Sequence, residues 1–214
     1  MSRIAIVPGA AVRSYVRPAV DALRARGMEA HLLQAPGAPG CPADIADYGR
    51  EIGDRLGASE PTDILIGLSV GAQVAAVAAT RTSCLQRLML VSPTVDSQAR
   101  NGPRILGRWL AGGRLEPAGL LLEQAPDWRR AGPARLARVI RSALAVHIER
   151  LLPAVAAPVT VVHAEHDVIT SHAYAARLAA ADGHSQLVVV PGATHSWPYA
   201  DADRFADLVE GLLG

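Results

Sequence analysis

Three residues of this sequence have the chemical types of a serine nucleophile, a base and a carboxylate that orients the base. Ser69 is the centre of the stretch G-L-S-V-G, Asp167 ends the stretch H-A-E-H-D, and His195 ends the stretch P-G-A-T-H. A serine hydroxyl is a weak nucleophile until a neighbouring base takes its proton, and the base needs a group that holds it in position. These three types therefore predict acyl chemistry through a covalent intermediate on Ser69.

The residues around Ser69 predict a strand, a sharp turn and a helix, in that order. The apolar run I-L-I lies before the turn, and an alanine-rich stretch over 72–80 lies after it. At such a turn the serine hydroxyl is exposed at the end of the sheet, and Gly67 and Gly71 let neighbouring backbone pass close to it. The sequence therefore predicts a nucleophile elbow at Ser69.

Asp167 and His195 each follow an apolar run that predicts a buried strand. The run at 158–162 leads to Asp167, and the run at 186–190 leads to His195. Asp96, which follows the preceding predicted strand, is the alternative carboxylate for the same role. The sequence favours Asp167 as the partner of the base.

Four other histidines compete with His195 for the role of base. His163 and His166 share the turn of Asp167 and are interpreted as structural or pocket residues. His172 and His184 lie near the ends of a predicted helix and are interpreted as surface residues.

With the chain order Ser69, Asp167, His195, the sequence resembles the alpha/beta-hydrolase superfamily over nearly its whole length. The stretch R-I-A-I-V followed by P-G-A is similar to the family's opening strand and oxyanion loop, with Pro8 where the family usually has histidine. The resemblance implies that the N–H groups of Ala10 and Val70 form the oxyanion hole. Such donors contribute a few kcal/mol each by stabilising the developing negative charge.

Strand and helix patterns alternate along most of the chain. Strands are predicted at 3–7, 29–34, 63–68, 86–91, 159–163 and 186–190, and helices at about 14–26, 43–57, 70–80, 171–181 and 201–213. The strand candidates are continuous apolar runs, which is typical of a parallel sheet buried on both faces. We therefore predict an α/β protein with the alpha/beta-hydrolase fold, in which helices flank a mostly parallel central sheet.

The alternation stops between residues 97 and 152, where glycine and proline breaks separate helical patterns. The resemblance implies that this helical segment is a cap or lid over a hydrolase core formed by 1–96 and 153–214. Apolar side chains of the segment either line an acyl pocket or pack the segment onto the core: Trp109, Leu110, Leu120, Leu121, Leu122 and Trp128. Trp109 is a candidate pocket residue. Trp197, two residues past His195, is a second candidate pocket residue. The alternative for Trp197 is a purely structural role in the core.

The helical segment is strongly basic although the whole chain has a formal net charge of only +1. It contains ten arginines and four acidic residues, a balance of +6. Such a field can attract an anionic substrate, a coenzyme A thioester or an acidic carrier protein. The alternative is an ordinary solvated arginine-rich surface. No recognition motif for nucleic acid accompanies the charge.

The rest of the composition predicts a cytoplasmic, soluble protein without a membrane partner. No apolar run reaches the roughly 18 residues of a membrane span, and no signal-peptide pattern precedes the first strand. Cys41 and Cys84 lack metal-ligand spacing, and we do not expect a disulfide between them. All 21 basic residues are arginine, which together with abundant Ala, Gly and Pro suggests a bacterial source.

The sequence thus predicts a serine hydrolase that cleaves a carboxylic ester or thioester of a small-molecule acyl substrate, without a metal or an organic cofactor. The same residues on the same fold can also serve acyl transfer, carbon–carbon bond hydrolysis or a cyclisation step. A catalytically silent binding module is the third class.

Overall fold

A single parallel sheet organises the chain in the computed structural model, which describes residues 1–181 and 183–214. Its strands are β1 (Arg3–Val7), β2 (Glu29–Leu32), β3 (Thr62–Leu68), β4 (Leu85–Val91), β5 (Val159–Ala164) and β6 (Gln186–Val190). They lie in the order β2-β1-β3-β4-β5-β6, and every neighbouring pair is parallel. The predicted parallel sheet is therefore confirmed.

The helices of the described chain are α1 (Arg17–Ala25), α2 (Ile45–Gly57), α3 (Val70–Ala79), α4 (Gly102–Gly113), α5 (Leu120–Ala131), α6 (Pro133–Ala145), α7 (Ile148–Leu151), α8 (His172–Ala179), α9 (Trp197–Ala200) and α10 (Ala202–Leu213). The predicted helix at 14–26 begins later, because a 3-10 turn at Ser14–Val16 precedes it and Pro18 lies in its first turn. None of the described helices has both the length and the apolar character needed to cross a membrane.

Helices cover both faces of the sheet because the central strands are apolar on both sides. Leu65 of β3 belongs to the core beneath α2, α3 and α8, whereas Ile64 and Ile66 belong to the core beneath α1 and α10. This follows from the alternation of side chains along a strand. The continuous apolar pattern is misleading for β6, where Val189 is 39% exposed, because an edge strand is covered less completely than a central one.

The helical segment contains α4 to α7 and lies in the chain between β4 and β5. Side chains from two core elements bind it through polar contacts. The buried Gln73 of α3 donates hydrogen bonds to the carbonyls of Ala143 and Val146, each at 2.7 Å. Asp44, at the start of α2, accepts a hydrogen bond from Ser142 at 2.9 Å. The two Gln73 bonds satisfy backbone carbonyls near the end of α6, where a helix leaves carbonyls without partners.

The parallel arrangement determines where the predicted site residues meet. The carboxyl ends of β1, β3, β5 and β6 lie at one edge of the sheet. The turns that contain Ala10, Ser69, Asp167 and His195 follow these four strands.

Candidate active site

Ser69 lies in the sharp turn between β3 and α3 with a backbone that side chains rarely adopt. Its φ is 54° and its ψ is −118°. A side chain at Gly67 would collide with the backbone of Gly71 and Ala72, and one at Gly71 would collide with the carbonyls of Val7 and Pro8. Only glycine fits at both positions, so the predicted elbow geometry at Ser69 is present.

His195 is hydrogen-bonded to both other predicted residues. Its Nε2 lies 3.0 Å from Ser69 Oγ, and its Nδ1 lies 2.8 Å from Asp167 Oδ2. An ionised carboxylate only accepts hydrogen bonds, so Nδ1 carries the proton in this arrangement and the free lone pair is on Nε2. The imidazole is thus oriented to take the proton of the Ser69 hydroxyl.

The surroundings of Asp167 keep it ionised. The side chain is fully buried, and burial alone would raise its pKa. The charge of His195 and the hydrogen bonds from His195 and from the backbone outweigh burial and hold the pKa of Asp167 below its ordinary value. The backbone donors are Ile169 N at 2.8 Å and Thr170 N at 3.0 Å, both to Oδ1.

Asp167 in turn changes the basicity of His195. Burial would lower the pKa of His195, but the negative charge and the hydrogen bond of Asp167, with a contribution from Glu116, raise it above its ordinary value. A base whose charged form is stabilised in this way can hold the proton that leaves the serine.

The alternative carboxylate, Asp96, does not contact His195. Its buried side chain accepts hydrogen bonds from Arg108 and from the hydroxyl of Ser171, each at 2.6 Å. It also caps the 3-10 turn at Ser97–Ala99 through Gln98 N. Asp96 therefore links α4 to the start of α8.

The histidine that bonds Ser69 Oγ is His195, and the four competing histidines have other surroundings. His163 is buried in β5, where desolvation lowers its pKa, and its ring packs at 5.2 Å against that of the exposed His172. His166 is exposed beside Asp167, and His184 is exposed between α8 and β6.

The loop after β1 packs against the turn of Ser69. A Cβ atom on Gly9 would lie 3.8 Å from Ser69 Cβ. The Ala10 carbonyl accepts a hydrogen bond from Trp128 Nε1 at 3.0 Å, and the Gly9 N–H donates to the buried Tyr15 hydroxyl at 3.2 Å. Within the described chain, the N–H groups of Ala10 and Val70 donate to no other residue.

The two candidate pocket residues have different surroundings. Trp197 is 2% exposed and its ring lies 5.6 Å from that of Phe205, so it packs in the core between α9 and α10. Trp109 of α4 is 43% exposed and its ring meets the edge of Trp128 at 5.5 Å. Of these two rings, it is that of Trp128 that donates a hydrogen bond to the Ala10 loop.

An open groove of about 550 Å³ passes beside Asp167. Its wall contains Leu115 and Val168 as apolar side chains, and Glu165, His166, Asp167 and Thr194 as polar residues. Leu115 is contributed by the helical segment, so the segment forms part of the wall of this groove.

Glu116 is a site residue that the sequence analysis did not select. It lies between α4 and α5, half-buried, and its carboxylate accepts the N–H of Ser196 at 3.2 Å. Burial raises its pKa, and the nearby charge of His195 opposes that change. Its sequence signal was weak: a single acid beside Leu115 and Pro117 in an arginine-rich stretch.

The described residues contain no group of three or more His, Cys, Asp or Glu side chains that could hold a metal ion. Cys41 and Cys84 are both free thiols.

Comparisons with known proteins give a family and a fold. A model of the alpha/beta hydrolase family matches residues 4–208. A search of curated protein sequences found no match. The chain resembles the structure of Est816, described as an N-acyl homoserine lactone degrading enzyme, with a TM-score of 0.79 at 16% identity, over 99% of this chain and 93% of the other.

Two further structures have a similar fold. A hydrolase from Oleispira antarctica has a TM-score of 0.80 at 13% identity, over 100% of this chain and 91% of the other. E-2-(acetamidomethylene)succinate hydrolase has a TM-score of 0.79 at 20% identity, over 99% of this chain and 91% of the other.

Proposed function

Because the chain belongs to the alpha/beta hydrolase family, we propose that it is a serine hydrolase that cleaves a carboxylic ester or thioester. The observation that carries this proposal is the series of hydrogen bonds that joins Ser69, His195 and Asp167 at 3.0 and 2.8 Å. The electrostatics support these roles: Asp167 is kept ionised, and the protonated form that His195 takes on during the reaction is stabilised.

In the proposed reaction Ser69 Oγ attacks the acyl carbonyl while His195 Nε2 takes the hydroxyl proton. Asp167 holds the imidazole and stabilises its charged form. The N–H groups of Ala10 and Val70 donate to the oxyanion. His195 then gives the proton to the leaving alcohol or thiol, which departs from the acyl-enzyme. Water, deprotonated by His195, attacks the acyl carbon and releases the acid and Ser69.

We assign the helical segment 97–152 as a cap that binds the acyl part of the substrate. Five leucines of the segment are at least half exposed, which is unusual for large apolar side chains: Leu106, Leu110, Leu115, Leu121 and Leu122. Trp128 of the same segment contacts the proposed oxyanion loop at Ala10. Leu115 of this apolar surface lines the groove beside Asp167, which supports a substrate with an apolar acyl group.

The arginines of the helical segment support an anionic or carrier-bound substrate. Arg100, Arg108 and Arg130 form ion pairs with Glu149, Asp96 and Asp127. The other seven form no ion pair with the described residues. Arg135 is half-buried, and the six exposed ones are Arg104, Arg114, Arg129, Arg138, Arg141 and Arg150. These charges are free to attract an anion.

Labelling with a fluorophosphonate probe tests the proposed nucleophile. The wild-type protein should be labelled on Ser69, and Ser69→Ala should remain unlabelled and lose turnover by about a thousandfold or more. Ser59→Ala is the control, since Ser59 is exposed in the loop after α2 and its hydroxyl donates to the Leu56 carbonyl. Labelling of the Ser69→Ala protein would show that the nucleophile is a different residue.

A substrate panel then tests the reaction class. It should contain short and long acyl esters, the matching thioesters and a lactone, because one similar structure is named for lactone degradation. Hydrolysis predicts the free acid as product in water. A product that forms only with an added acyl acceptor would indicate acyl transfer instead.

A further inference from the structure

One carboxylate of the helical segment lies beside His195 without a role in the proposed mechanism. Both oxygens of Glu116 accept the N–H of Ser196 at 3.2 Å, and Oε2 also accepts the hydroxyl of Thr194 at 3.3 Å. Thr194 and Ser196 are the chain neighbours of His195. Glu116 therefore holds the loop on both sides of the histidine, from an element that is not part of the sheet.

The charged and titratable groups that face Glu116 come from three other elements. His195 lies in the loop after β6, Asp167 in the loop after β5, and Tyr15 in the 3-10 turn before α1. Burial raises the pKa of the Tyr15 hydroxyl, so this group stays neutral. The imidazole of His195 is thus the group of opposite charge that Glu116 faces, while Asp167 already contacts its Nδ1 directly.

The two carboxylates act on His195 from different distances. Asp167 bonds the ring, whereas Glu116 bonds the backbone beside the ring and acts on it through its charge. In a partly buried site the effective dielectric constant is lower than in water, so a charge that does not touch the imidazole still stabilises its protonated form.

We propose that Glu116 is a positioning residue for His195: it fixes the His195 loop from the helical segment and adds a second negative charge that stabilises the imidazolium. This inference rests on the proposed serine hydrolase function. Because Glu116 lies in the linker between α4 and α5, the base is fully oriented only when that linker is seated against the loop. The helical segment then contributes to proton transfer as well as to substrate binding.

Glu116→Gln separates the charge from the hydrogen bonds, because the amide oxygen can still accept them. Without the negative charge the imidazolium is less stable, so His195 loses its proton at lower pH. The acid limb of kcat/KM for a short-chain ester, which reports the free enzyme, should therefore move to lower pH. Glu116→Ala removes the hydrogen bonds too and should also lower kcat by roughly ten- to a hundredfold, since small displacements of a base are costly.

Glu123→Gln is the matched control. It makes the same charge change in the same segment, but its side chain is exposed and forms no hydrogen bond with the described residues. Its pH profile should coincide with that of the wild type. Melting curves of all variants show that each is folded at the assay temperature.

The outcomes distinguish this inference from the proposed function. Unlabelled wild-type protein in the fluorophosphonate experiment would refute the serine hydrolase. Labelling at Ser69 with identical acid limbs for Glu116→Gln and wild type would refute the role of Glu116 alone. Equal losses in kcat for the Gln and Ala variants without a shift of the limb would reduce Glu116 to a structural contact and also overturn the proposal.

Discussion

At the scale of single residues, two aspartates that follow neighbouring strands have separate surroundings. Asp167 bonds His195 and two backbone N–H groups after β5, whereas Asp96 bonds Arg108 and Ser171 after β4. Both carboxylates are buried and both have pKa values held below the ordinary value. A lowered carboxyl pKa therefore does not identify the partner of the base, but the contact with His195 does.

Asp167→Asn should lower turnover far more than Asp96→Asn. An amide at 167 no longer fixes the His195 tautomer or stabilises the imidazolium, so kcat should fall by roughly a thousandfold or more. Asp96→Asn should retain most of the activity per folded molecule, because Asp96 does not contact His195. Steady-state kinetics below the melting temperature of both variants tests this ranking. The reverse ranking would assign the acid to Asp96.

At the scale of elements, polar contacts fix the helical segment to loops of the core. Arg108 of α4 donates to Asp96 at 2.6 Å and to the Ile169 carbonyl at 3.1 Å. The Asp96 side chain is fully buried, so its negative charge depends on the cation of Arg108. Ile169 also donates its N–H to Asp167. Arg108 thus supports the loop that presents the proposed acid.

Arg108→Met should destabilise the fold by about 2–3 kcal/mol at neutral pH, because it leaves a buried carboxylate without its cation. Burial alone would raise the pKa of Asp96, but the hydrogen bonds from Ser171 and Arg108 hold it below its ordinary value. This stabilisation is present above the unfolded pKa and is lost as the pH falls through the folded pKa.

Urea unfolding at neutral and acidic pH checks the prediction for Arg108. The difference in the free energy of unfolding between wild type and Arg108→Met should be large at neutral pH. It should shrink at acidic pH, where Asp96 is protonated and no longer needs the cation. Arg104→Met on the same helix is the control, since the Arg104 side chain is exposed and, among the described residues, donates only to the Gln98 carbonyl. A pH-independent difference would show that the loss is one of packing and not of charge.

At the scale of the whole molecule, the charge is divided unevenly. The helical segment has a formal net charge of +6 and the whole chain one of +1, so the remaining residues together have a net charge of −5. Arg138 and Arg141 of α6 are exposed and have no ion pair within the described chain. A field of this kind is expected to act on an approaching anion and not on the bond-breaking steps at Ser69.

The kcat/KM for an anionic acyl substrate should fall steeply with added salt, whereas that for a neutral short-chain ester should barely change. The Debye length is about 8 Å at physiological ionic strength, so salt screens an exposed charge but not a buried hydrogen-bonded site. Arg138→Glu with Arg141→Glu should raise KM for the anionic substrate and flatten its salt dependence.

Arg17→Glu with Arg50→Glu is the control pair for this experiment. It makes the same change in net charge on α1 and α2, outside the helical segment. The control pair should retain the salt dependence of the wild type. Equal salt profiles for charged and neutral substrates would mean that the arginines form an ordinary solvated surface.

Sequence alone determined the features that depend on residues close together in the chain. The sequence predicted all six strands, and the continuous apolar pattern of most of them predicted the parallel sheet. The strand, the turn with glycine on either side and the alanine-rich helix predicted the elbow at Ser69. These are local consequences of backbone sterics and side-chain periodicity, so a short window of sequence contains them.

Tertiary structure decided the features that depend on how distant segments pack. It brought His195 to Asp167 and not to Asp96, although both aspartates follow apolar runs. It buried Trp197 in the core, left Trp109 exposed and determined which arginines are paired. It also placed Glu116 against residues 78 and 80 positions away. Such contacts depend on strand order and helix packing, because no short window of sequence contains both partners.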